Sequence, residues 1–167
     1  LIATVLAPPK SPTFIKKQNS RAMPAAFIQS LPWAEVVETQ GFGHVAWYSK
    51  DVMNWPQGHV ECIIIAKDNT IANKREALEE VIYFIHKAGR DIETARVKGG
   101  KEMDNIINMI RKHIPAHSKN AIIESLRADL NVINYWNLNV DQNSKNSLKQ
   151  ILNLGLESRI PNRKIDL

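Results

Sequence analysis

The spacing of apolar residues changes character near residue 73, and this change constrains the fold more than any other feature of the chain. Upstream, apolar residues come in short runs with β-branched members, separated by turn residues: Leu1–Leu6, Ala25–Ile28, His44–Tyr48 and Val60–Ala66. Runs of that length bounded by Pro, Gly, Asn and Asp predict β-strands. Downstream the period becomes helical. Leu78, Val81, Ile82, Ile85, Ala88 and Ile92 fall on one stripe with charges opposite, which predicts a long amphipathic helix with its apolar face inward. Asn73 and Glu76 supply a capping pair for its start. A second helix carries Met103, Ile106, Ile107 and Ile110 and stops at Pro115. Ser118 caps a third, and Leu148, Ile151, Leu152 and Leu156 mark a fourth.

Within the first third, Pro8-Pro9 ends the opening strand, since proline donates no ladder hydrogen bond, and a short helix or turn follows over Ser11–Gln18. The strand at Ala25–Ile28 leads through Gln29-Ser30-Leu31-Pro32 into a helix from Trp33, which stops at Gly41 and Gly43. Cys62 to Ile65 are four consecutive apolar residues, the pattern of a strand covered on both faces. Strand, helix and strand in alternation predict an α/β fold, a mixed sheet packed by the C-terminal helices.

Composition sets limits on function. The 167 residues suit one ordinary domain, and the formal charge of +5 comes from Lys and Arg interleaved with Asp and Glu, the spacing of solvated helix faces. Nucleic acid is disfavoured as a partner, since the chain has no Arg-rich helix with stacking aromatics and no Cys/His finger. One cysteine excludes an internal disulfide. No window approaches the roughly 20 apolar residues of a membrane span. The chain opens on a strand pattern without an initiator Met, so it reads as a piece of a longer protein whose targeting segment lies upstream.

Four kinds of chemistry are open to the remaining residues. His59 and Glu61 share one face of a strand and Cys62 lies on the other, too few ligands for a zinc site; no metal and no cofactor is expected. Cys62 in an apolar strand reads as a buried, inert thiol, and no Cys/His signature surrounds it, so no catalytic residue is assigned. Gly99-Gly100-Lys101 lacks the spacing of a phosphate loop and reads as a joint between two helices. Trp33 is different. It follows a strand end and a proline, where a side chain overhangs a crevice, with Gln29 and Ser30 beside it as neutral hydrogen-bonding groups, and this suits a small polar or anionic ligand.

At these residues the chain resembles a known family. The order Pro8-Pro9, Ala26-Phe27-Ile28-Gln29-Ser30-Leu31-Pro32-Trp33, Gly41-Phe42-Gly43, Ser49-Lys50-Asp51-Val52, a Trp-Pro loop and Gly58-His59-Val60-Glu61-Cys62 resembles periplasmic solute-binding proteins of ABC importers. The type is that for nitrate, bicarbonate and sulfonates such as taurine, with the thiamine-pyrimidine precursor-binding group as a relation. The resemblance spans about residues 1 to 135. It implies the C-terminal part of a type II periplasmic-binding-protein fold, with residues 1–31 ending the second lobe and 32–167 returning to complete the first. It implies a non-enzymatic, periplasmic or lipid-anchored protein that holds a small solute and presents it to a permease. Its ligand contacts would be Gln29, Ser30 and Trp33, with His59, Glu61 and Cys62 beside the crevice. A surface left bare by a missing lobe would favour self-association. Two departures stand out: Ser30-Leu31 occupies the place of a frequent Gly-Glu, and Val60 that of a proline. The alternative is an enzyme of the same fold, such as a thiamine-pyrimidine synthase-like protein, or a ligand-sensing homologue.

Overall fold

The computed structural model describes residues 4–55 and 58–160, and among these it contains helices and no β-strand. The expected α/β fold with a mixed sheet is therefore overturned. Strands need neighbours to satisfy their N–H and C=O groups, and among the described residues none of the apolar runs of the N-terminal third finds a pairing strand. Thr4–Leu6, Ala25–Ile28, His44–Tyr48 and Val60–Ala66 are irregular chain, and residues 1–3 of the first run lie outside the described residues. None of their side chains is buried, and the most open stand in solvent: Ile28 is 89 % exposed and Ile65 is 83 % exposed. The strand covered on both faces, Cys62–Ile65, is exposed along its whole length.

Eight α-helices follow one another among the described residues: α1 Ser11–Asn19, α2 Trp33–Thr39, α3 Ser49–Val52, α4 Asp68–Asn73, α5 Arg75–Lys98, α6 Gly100–His113, α7 Lys119–Ser125 and α8 Gln142–Glu157. Their starts follow local chemistry. The Ser118 hydroxyl accepts from the Ala121 N–H, and the Asp141 carboxylate accepts from the Ser144 N–H, so α7 and α8 each begin at a side-chain cap. Asn73 serves otherwise than expected. It ends α4, and its amide donates back to the Asn69 carbonyl.

The chain divides into two compact units. The first comprises Leu1–Ala46 and Arg90–Tyr135. Here α1 lies against α2, α2 against α7, and α7 against α6. Ile107, Ile122 and Leu126 form its buried centre, with Ile92, Met103, Ile110 and Tyr135 packed around them. Ile15, Val36 and Val37 are buried on the α1 and α2 side. Gly43 lies so close to Val37 that a Cβ there would come within 2.5 Å of Val37 Cγ1. The helices α5 and α6 meet at Gly99 and Gly100, whose φ angles of 65° and 53° are positive and suit glycine.

The second unit comprises Trp47–Gly89 and Trp136–Leu167. Its tie points are polar. The buried Ser147 of α8 accepts from the Val60 N–H at 3.4 Å and donates to the Gly58 carbonyl, while Gln150 donates to the Asn54 carbonyl at 2.6 Å. The apolar stripe of α5 splits accordingly. Val81 and Ile82 remain 50 % and 47 % exposed, whereas Ile92, past the unit boundary, joins the buried centre of the first unit.

Candidate functional site

Three of the six residues expected to contact ligand, Gln29, Ser30 and Trp33, belong to the first unit. The other three, His59, Glu61 and Cys62, belong to the second. Each group has its own setting.

In the first unit the chain turns at Ser30-Leu31-Pro32-Trp33, where the Leu31–Pro32 bond is cis and the Trp33 N–H donates to the Ser30 carbonyl at 3.3 Å. Trp33 opens α2, as the proline-aromatic elbow predicts. Its ring is half-buried and meets the His117 imidazole edge-on, with centroids 4.9 Å apart and planes at 79°. His117 sits on the link from α6 to α7, one residue before the Ser118 cap, and is itself buried. Burial lowers its pKa from 6.5, so the ring is held neutral near pH 7. The buried, neutral ring against Trp33 is a part of this site that the local sequence does not mark, because its partner is remote in the chain.

Gln29 is half-buried, and its side-chain amide donates to the Leu6 carbonyl at 3.4 Å, so one of its polar groups is directed into the unit. Ser30 is exposed. Glu35 in the first turn of α2 is completely buried, and the Thr39 hydroxyl returns to its backbone carbonyl. The elbow thus brings an indole against a neutral imidazole, while the Gln29 amide is engaged with Leu6 and the Ser30 side chain is exposed.

In the second unit His59 stacks flat on Trp55, with centroids 4.6 Å apart and planes 5° from parallel, and its Nδ1 lies 3.2 Å from the Ser49 hydroxyl. Asp51 nearby accepts from the Tyr48 N–H at 3.0 Å; that bond first, and then the Lys50 ammonium, hold its carboxyl below the ordinary value. Glu61 and Cys62 take no part in this cluster. They lie on the exposed segment that leads to α4, and the buried, inert thiol expected at Cys62 is corrected to a free, exposed one. Its neighbours Ile63 to Ile65 face solvent, so nothing is packed over the sulfur's surroundings. Among the described residues no group of three or more His, Cys, Asp or Glu side chains is placed to hold a metal ion, and no helix is long and apolar enough to cross a membrane.

No family model, no curated protein and no solved structure matches this chain.

Proposed function

We propose that this chain is part of the solute-binding component of an ABC importer, taking a small polar or anionic solute such as nitrate, bicarbonate or a sulfonate, and that Trp33 with Gln29 and Ser30 contributes to the contact. The reading rests on the sequence motifs and on one observation, the half-buried Trp33 at the turn into α2, backed by the neutral His117. It does not draw on the sheet of that family, which is absent among the described residues. An indole with neutral donors beside it can hold a polar solute through hydrogen bonds and ring contact without a covalent step. On this reading no residue is catalytic, and the partners are the solute and a permease in an extracytoplasmic compartment.

The test is a titration of the protein expressed from its whole reading frame with nitrate, bicarbonate, taurine and a thiamine-pyrimidine precursor, followed by calorimetry and tryptophan fluorescence. Binding of at least one solute, lost in Trp33→Ala with the melting temperature retained, is the expected result. Equal affinity in the variant removes Trp33 from the site, and no binding across the panel overturns the reading.

A further inference from the structure

Residues 61–67 carry an unusual combination of properties. Ile63, Ile64 and Ile65 are 58 %, 63 % and 83 % exposed, consecutive, and β-branched. Among the described residues no backbone hydrogen bond joins 61–66 to any other segment, and Lys67 has extended backbone angles of −75° and 147°. An open run of such residues, without proline or glycine, is a template for pairing with another chain. The Ser147 hydroxyl fixes its upstream end at Gly58 and Val60, and α4 fixes its downstream end at Asp68.

The charges at its two ends choose the occupant. Glu61 and Lys67 are both exposed and lie six positions apart, so they share a face with Ile63 and Ile65 in an extended chain. We propose that residues 61–67 pair antiparallel with the same residues of a second copy of this chain, about a two-fold axis at Ile64. In that register Glu61 of each copy faces Lys67 of the other, Ile63 faces Ile65, and Cys62 faces Ala66. Opposite charges then meet at both ends of the pairing, which is the self-complementarity an isologous contact requires.

The backbone favours the same arrangement. The Lys67 carbonyl is already taken, since it accepts the Ile71 N–H at 3.0 Å in the first turn of α4. Backbone bonds therefore form at the Ile64 pair and at the Cys62 and Ala66 pairs, whereas Glu61 with Lys67 and Ile63 with Ile65 fall at the non-bonded positions, where side chains approach more closely. The inference stands apart from the solute-binding reading and shares no residue role with it, except that it places Glu61 and Cys62 in a contact between copies.

Sedimentation of the 167-residue chain over a range of concentrations tests it, with circular dichroism showing that each variant keeps its helices. Wild type forms a concentration-dependent dimer. Glu61→Lys alone and Lys67→Glu alone each set like charges opposite one another at both ends and weaken the dimer about tenfold. Mixing the two variants restores it, because each charge then meets its opposite. Ile64→Pro, which removes a donor at the axis, abolishes it. A wild-type chain that stays monomeric at about 1 mM, the weak end of specific association, overturns the proposal. So does a dimer unmoved by the charge reversals, or one that the mixture fails to restore.

Discussion

The Arg96 guanidinium holds both carboxylate oxygens of Glu93, at 2.9 and 3.1 Å, with the two side chains only 7 % and 4 % exposed. Around that pair the first unit closes. Arg96 also donates to the Leu126 and Ile133 carbonyls, each at 2.9 Å, and Glu93 accepts the Tyr135 N–H at 2.7 Å. One turn of α5 thereby satisfies backbone groups of the segment that follows α7. Removing one partner strands the other's buried charge and orphans those carbonyls. Arg96→Met is expected to lower stability by about 3–5 kcal/mol, read by urea unfolding, while Glu93→Leu with Arg96→Met costs less than the two single changes summed. A loss below about 1 kcal/mol for Arg96→Met would show that the pair matters little.

His117 makes stability depend on pH in a defined direction. Its folded pKa lies below 6.5, so between those two values the unfolded chain binds more protons and stability rises with pH. Acidification through 6.5 and down to the folded pKa therefore weakens the fold, and further acidification adds nothing from this group. The melting temperature should fall across that window in wild type, and the fall should shrink in His117→Gln. An unchanged pH profile in the variant would assign the effect elsewhere.

Asp51, Asp129 and Asp141 act in a lower window. Each is held below 3.8, Asp51 chiefly by the Tyr48 N–H, Asp129 by the Arg127 side chain and Asp141 by the Ser144 N–H. Their contribution is present above 3.8 and is lost as pH falls toward their folded values. Asp141→Asn retains an acceptor for the cap and should flatten part of the loss below pH 4, whereas Asp141→Ala removes the acceptor and should lower stability at neutral pH. Thermal melts at pH 3 and pH 7 separate the two.

Gly43→Ala tests packing at a single atom. The new methyl would stand 2.5 Å from Val37 Cγ1, and Val37 is 4 % exposed, so either residue must move. A cost of about 1–3 kcal/mol is expected from such overpacking, and Val37→Ala in the same chain should recover part of it. Additive losses in the double variant would contradict the contact.

Helix starts were the legible part of the fold. A Ser before an apolar period, a proline before Trp33 and paired glycines between two stripes each act through their own backbone, so sequence alone carries them. The strands were not legible, because an apolar β-branched run states only a fit to a pleated surface and leaves open whether a neighbour exists. Ile63 to Ile65 satisfy the pattern and have no neighbour among the described residues. Glu93 and Arg96 failed in the opposite sense. Charges three apart on a helix read as a solvated face, and their burial depends on residues 126–135 folding over them. At the candidate site the Trp33 elbow was visible in the sequence, but His117 was not, since its partner lies more than eighty positions away.

The junction at Gly99 and Gly100 has a stereochemical consequence. With both φ angles positive, the chain changes hand for two residues between two right-handed helices, and among the natural residues glycine makes that change without the penalty an L side chain meets. Chemical synthesis could therefore place D-alanine at Gly100 with the junction preserved, where L-alanine opposes it, so the two mirror forms of one side chain should report opposite effects on the order of α5 and α6.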